Sequence, residues 1–277
     1  MVPHLEGVDQ GVRLAAALYD IRAAGVVGRR NDCIAALRQT SSTLMRRLST
    51  ASSEWELPLG TLLNRFDAAF ARCPLIAILR GIRPEEVEPI AEVLVEAGFT
   101  LIEIPLNSPD PLASLDRLAA VVGDDIMVGA GTVLRRAQVA DVRNASGQMI
   151  ISPNADLNVV HAAVEAELVS LPGVATPSEA FAALDAGASA LKLFPAESFS
   201  PAVLRAWRAV LPPETRVLPV GGITPETMKP WVDAGAAGFG LGTSLYKPGM
   251  DVQAVKERAA AFMKQLQRDA NGGRPLA

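Results

Sequence analysis

A chain of 277 residues with 49% hydrophobic and 20% charged residues has the composition of a globular protein, long enough for one large domain or a domain with an extension. Its net charge of −4 gives no electrostatic reason to expect nucleic acid or an anionic membrane as partner, and no apolar run reaches the ~18 residues of a membrane span. Two histidines, His4 and His161, and two cysteines, Cys33 and Cys73, offer no metal-ligand spacing, so no metal is expected, and the cysteines read as reduced thiols of a cytoplasmic protein.

Residues 1–55 read as an N-terminal extension. Val12 to Ala24 and Asp32 to Leu48 are Arg-rich and weakly amphipathic, joined by Gly25 to Gly28 and followed by the polar run Ser49 to Ser53. A regulatory or interaction arm and a dispensable, partly helical or disordered extension both fit this composition. Glu6, Asp9, Asp20 and Asp32 argue against targeting, and no compact positive segment precedes an apolar stretch as export would need. Over 56–73, the spacing of Leu59, Leu62, Leu63, Phe66, Ala69 and Phe70 predicts a helix that closes the bottom of the following domain.

From Pro74 onward, short apolar runs alternate with longer amphipathic ones, the pattern of strand-helix units around a parallel sheet. Eight units are counted, with strands predicted at 75–79, 100–104, 126–130, 149–152, 168–171, 190–194, 216–220 and 237–241. Helix starts are marked by Pro84-Glu85-Glu86, Asp110-Pro111, Thr176-Pro177-Ser178-Glu179 and Thr224-Pro225-Glu226, and helix ends by Gly98, Gly187 and Gly235. The expected fold class is α/β, a single (β/α)8 TIM barrel over 74–270 with an N-terminal helical extension and a C-terminal tail at 271–277.

Five of the 26 basic residues are lysines: Lys192, Lys229, Lys247, Lys256 and Lys264. A cation needed merely for solubility would in this chain be arginine. Lys192 stands in Ala190-Leu191-Lys192-Leu193-Phe194-Pro195, among apolar strand residues. Such a lysine either finds a carboxylate or loses its proton, and a neutral amine attacks carbonyls. Schiff-base chemistry and a structural ion pair both stay open at this point.

Strand alternation puts Ala190, Lys192 and Phe194 on one face, and sets Glu103 with Leu101 opposite Ile102 and Ile104. Glu103 and Lys192 then project into the barrel together. By the same alternation Arg80 shares a face with Ile78, and Thr132 with Ala130. These four polar residues lie toward the C-terminal ends of their strands, where barrel enzymes build their active sites. The last two units add glycine-rich loops, Val220-Gly221-Gly222 and Gly240-Leu241-Gly242-Thr243-Ser244. Their backbone amides and the helix beginning near Thr224 suit a phosphate, although glycine pairs also make tight turns.

Seven motifs in order then carry a resemblance: L-I-A-I-L-R-G at 75–81, E-I-P-L-N-S-P at 103–109, G-A-G-T-V-L at 129–134, S-P-N at 152–154, L-K-L-F-P-A at 191–196, V-G-G at 220–222 and G-L-G at 240–242. From about Pro74 to Ala270 the chain resembles the 2-keto-3-deoxy-6-phospho sugar-acid aldolases, class I lyases that use a lysine Schiff base. The resemblance implies Lys192 as the Schiff-base lysine and Glu103 as the acid and base. It implies substrate-carboxylate contacts from Arg80 and Thr132, phosphate contacts from Gly221, Gly222, Gly242 and Thr243, and a pocket wall that includes Asn107, Pro153 and Phe194. It also implies a phosphorylated keto-deoxy sugar acid as substrate, no metal or organic cofactor, and a homotrimer.

Two departures from the gluconate-type members of that family are informative. Asn107 stands where those members carry an arginine, which leaves the carboxylate to Arg80, and Val220 stands in place of a threonine hydroxyl. Both resemble the galactonate-type branch, whose substrate has the other configuration at C4. A site lacking a polar partner discriminates against the epimer whose hydroxyl it leaves unpaired. The expected reaction is cleavage of 2-keto-3-deoxy-6-phosphogalactonate to pyruvate and glyceraldehyde 3-phosphate in galactonate catabolism, with Val220 setting the C4 preference. The alternatives are the same cleavage of the gluconate epimer, a phosphosugar isomerase or epimerase on this fold, and a non-catalytic phosphosugar-binding barrel.

Overall fold

The computed structural model describes residues 59–271. The expectations for residues 1–55 and for the tail beyond 271 lie outside the described residues. Helix α1 (Leu59–Arg72) leads into β1 (Leu75–Ile78), and a 3-10 turn at Pro84–Glu86 opens α2 (Val87–Ala97) before β2 (Leu101–Pro105). There follow α3 (Pro111–Val121), β3 (Met127–Gly131), α4 (Arg136–Asn144), β4 (Met149–Ile151), α5 (Leu157–Glu165), β5 (Val169–Leu171) and β6 (Gly173–Val174). The order continues with α6 (Pro177–Asp185), β7 (Leu191–Leu193), a 3-10 turn at Ala196–Ser198, α7 (Pro201–Arg208), β8 (Val217–Pro219), α8 (Pro225–Asp233), β9 (Phe239–Leu241) and α9 (Val252–Asn271).

Each predicted strand has a counterpart whose ends lie within two residues of those expected. One strand was not foreseen. The predicted fifth strand continues past Pro172, which has no N–H to give to a ladder and divides it into β5 and β6. All pairings are parallel, β5-β4-β3-β2-β1-β9 in a six-stranded sheet and β6-β7-β8 in a three-stranded one. A bridge between Val220 and Gly240 connects the end of β8 to β9. The fold is therefore α/β, with helices returning the chain between parallel strands.

Local signals explain the helix ends. Helices α3, α6, α7 and α8 open on proline, whose fixed φ suits the first turn and whose missing N–H is not needed there. At α6 the Thr176 hydroxyl accepts from Glu179 N while the Glu179 carboxylate accepts from Thr176 N at 2.9 Å, a reciprocal cap. Gly98, Gly187 and Gly235 take left-handed φ of 102°, 97° and 97° where α2, α6 and α8 stop.

The strands sort their side chains onto two faces, as the alternation predicts. Leu75, Ala77, Ile102, Ile104, Leu191, Leu193, Phe239 and Leu241 pack with the helices in one cluster. Ile76, Leu101, Met127, Met149, Val169, Leu171, Ala190 and Leu218 form the other, together with Phe66 and Phe70 of α1. Fully burying one such phenylalanine is worth roughly 1.5–3 kcal/mol. Helix α1 is tied further to the strands: Thr100 Oγ1 donates to Ala69 O at 2.7 Å, and the Arg216 guanidinium lies 5.7 and 5.0 Å from the Phe66 and Phe70 ring centroids.

Candidate active site

Glu103 follows Leu101 on β2 and faces away from the helices, whereas Ile102 and Ile104 pack against them. It is 1% exposed, and its Oε2 is buried with no hydrogen-bond partner. Lys192, the middle residue of β7, is 4% exposed between the helix-facing Leu191 and Leu193. Its Nζ lies 4.8 Å from the Phe194 ring centroid and forms no ion pair with any described residue. The structural ion pair left open by the sequence is not made.

Desolvation dominates both groups. Burial pushes the Glu103 carboxyl up to about 7, against smaller opposing pulls from Lys192 and Arg80. Burial likewise holds the Lys192 ammonium below its usual range, the Arg80 charge adds to that effect, and Glu103 works against it. A lysine whose ammonium form is disfavoured by burial, near a carboxyl that can hold or release a proton near pH 7, is suited to covalent and acid-base chemistry on a carbonyl.

Two spaces share Lys192 on their walls. The smaller, of about 10 Å³, touches Glu103, Lys192, Ile78, Leu218 and Val220 and sits at the lower limit for one water molecule. The larger, of about 560 Å³, has Arg80, Lys192, Phe194 and Val220 on its wall, and the loop residues Gly221, Gly222, Gly242 and Thr243 around its rim. A carboxyl inside, a lysine between and two glycine-rich loops outside would accommodate an elongated molecule whose carbonyl meets Lys192 and whose far end is an anion held at the loops. Gly221 and Gly222 have φ of 109° and 66°, which favours glycine, and α8 begins three residues later, so a helix N-terminus follows this loop of the mouth.

Three of the predicted residues lie apart from this cavity wall. Asn107 is exposed beyond β2, and Pro153 is half-buried after β4, its carbonyl packed against Gly173. Thr132 is half-buried just past β3 with φ 57°, so strand alternation does not govern it. The expectation that Thr132 shares a face with Ala130 by strand alternation is corrected: Ala130 packs in the helix-facing cluster, and the left-handed turn at Thr132 breaks the alternation.

Among the cavity residues given no role by sequence reasoning are Glu197, Tyr246 and Lys247, while Ser244 closes the glycine-rich loop already singled out. Lys247 carried a usable signal, being one of five lysines in an arginine-rich chain. The others lie on loops with no periodicity to read. Glu197 presses its carboxylate against Gly221, where a Cβ would meet Oε2 at 2.1 Å. Tyr246 is buried with an unpartnered hydroxyl, and its pKa is pushed up to about 12 by burial and by the Glu86 charge. Arg258 of α9 steadies the loop by donating to Thr243 O at 3.2 Å and Ser244 O at 3.3 Å.

Comparison with known proteins agrees with this geometry. Residues 66–258 match the family "KDPG and KHG aldolase". The 2-dehydro-3-deoxy-6-phosphogalactonate aldolase of Escherichia coli (strain K12) is 46% identical over 193 residues, which is 70% of this chain and 94% of that protein. A KHG/KDPG aldolase of the same organism is 32% identical over 161 residues, 57% of this chain and 74% of that protein. Among solved structures, "Native KDPGal structure" superposes with a TM-score of 0.71 and 44% identity, covering 72% of this chain and 97% of that one. Motif order, fold and pocket agree with these likenesses, and the chain belongs to the KDPG and KHG aldolase family.

Proposed function

We propose that the protein is a class I aldolase that cleaves 2-dehydro-3-deoxy-6-phosphogalactonate to pyruvate and glyceraldehyde 3-phosphate, with Lys192 as imine-forming nucleophile and Glu103 as acid and base. The observation that carries this reading is the desolvated Lys192, unpaired at the junction of the cavity with the small void that holds Glu103. Neutral Lys192 Nζ adds to the C2 ketone, and loss of water from the carbinolamine leaves a protonated imine, which serves as an electron sink. Ionised Glu103 takes the C4 hydroxyl proton, directly or through one water. The C3–C4 bond breaks as the aldehyde forms at C4, its electron pair flows into the imine, and glyceraldehyde 3-phosphate leaves. Glu103 returns the proton to C3 of the enamine, and hydrolysis of the imine frees pyruvate and the amine.

Arg80 on the cavity wall is assigned the substrate carboxylate, with the contact expected of Thr132 coming from the turn after β3 apart from that wall, and Gly221, Gly222, Gly242 and Thr243 are assigned the phosphate. The strands are taken to close as a (β/α)8 barrel, a reading supported by the continuity of β5 and β6 across Pro172 and by the Val220–Gly240 bridge. The domain is assigned to 74–270, and the homotrimer and cytoplasmic setting implied by the resemblance belong to the same proposal.

The choice of epimer rests on Val220, which is 7% exposed, touches both spaces and offers no hydrogen bond to a C4 hydroxyl. The 46% identical galactonate-type relative supports the same choice over the 32% identical KHG/KDPG aldolase. Steady-state cleavage of the two epimers tests it: kcat/KM should favour the galactonate epimer, and Val220→Thr should narrow that ratio by about 10-fold or more. Preference for the gluconate epimer in the unaltered protein would overturn the substrate assignment.

A further inference from the structure

We propose that Gly131 is a positioning residue for Glu103, its absent side chain being the seat of the carboxylate. A Cβ on Gly131 would stand 1.9 Å from Glu103 Oε2, 2.5 Å from Cδ and 2.6 Å from Oε1, so it would overlap the whole carboxylate group. In the β2–β3 register Glu103 faces Gly129 and Pro105 faces Gly131, so the Glu103 side chain leans along its strand toward the C-terminal end and comes to rest over Gly131.

Gly131 itself is buried, and its carbonyl accepts from Leu106 N at 2.8 Å, which holds the backbone beneath the carboxylate in place. Its φ is not among the left-handed ones, so the obstacle to alanine there is the carboxylate, which supplies the three atoms nearest to a Cβ. The seat also fixes the surroundings of the acid. Lys192 from β7 and Arg80 beyond β1 are the charged groups acting on it, while the void around it is otherwise walled by Ile76, Ile78, Ile151, Leu171, Leu218 and Val220. A side chain at 131 would push the carboxylate toward the open cavity and its water.

This inference rests on Glu103 acting as acid and base, and the experiment separates the two. Gly131→Ala should lower kcat by about 10- to 100-fold, the effect expected of an ångström-scale misplacement of a catalytic group. It should also move the acid limb of the kcat–pH profile downward, because a solvated carboxyl gives up its proton more readily. In a Glu103→Asp background, where the acid is one methylene shorter, the same alanine should cost less than about 3-fold, a difference of background that marks two residues acting on one contact. Loss of folding in Gly131→Ala that is restored by Glu103→Asp supports the seat equally. Unchanged kcat and pH profile in Gly131→Ala, or equal losses of activity or folding in both backgrounds, would overturn it. If Glu103→Gln cleaves substrate as fast as the unaltered protein, the acid-base reading fails instead, whatever alanine does at 131.

Discussion

At the residue scale, Glu103 and Lys192 show how function is set against stability. The folded protein holds a proton on Glu103 up to about pH 7, whereas the unfolded chain has released it above about 4.5. Between those values the native state binds more protons than the unfolded one, so the contribution of Glu103 to stability falls as pH rises through that window and stays lost above it. The shift corresponds to a cost of about 3 kcal/mol at pH 8 and almost none at pH 4. Lys192, lowered rather than raised, is costly on the acid side of its ordinary titration instead. Glu103→Gln should therefore raise the unfolding free energy measured in urea at pH 8 by about 3 kcal/mol and change it little at pH 4, while abolishing cleavage. Equal effects at both pH values would show that Glu103 is not held protonated by burial.

At the element scale, the alternation of apolar residues was the most legible feature of the sequence. It placed Glu103 on the face opposite Ile102 and Ile104, and Lys192 opposite Leu191 and Leu193, because a pleated strand leaves no other choice. Helix α1 was readable for a similar reason, since Phe66 and Phe70 recur at helical spacing and both end in the strand-lined cluster. Phe66→Ala should cost about 3–5 kcal/mol in chemical denaturation, the range for emptying a well-packed aromatic site, and a loss under about 1 kcal/mol would mean that α1 is a dispensable cover. Thr132 was misread because a positive φ ends the alternation, and nothing in the flanking residues announces that turn. The predicted fifth strand stopped at 171, so the division at Pro172 and the two residues of β6 beyond it went unread. Glu197 and Tyr246 were hidden because turns and loops reach a cavity through tertiary geometry, which no local period encodes.

At the scale of the whole molecule, the two spaces divide the chemistry. The small apolar void around Glu103 keeps the carboxyl desolvated, and the larger cavity is open enough to admit a charged substrate. Lys192 lines both, so under the proposed function a ketone bound in the larger space meets the amine before it meets the acid. Loops after β8 and β9 supply the rim, and Arg258 of α9 fixes one of them, so the proposed function divides binding and reaction between different elements of one fold. All of this depends on Lys192 forming an imine. The most direct test is borohydride reduction of the protein with pyruvate, read by the mass of the intact chain. The unaltered protein should gain one reduced pyruvate adduct mapped to Lys192 and lose activity, and Lys192→Ala should gain none. Trapping that persists undiminished in Lys192→Ala would contradict the account.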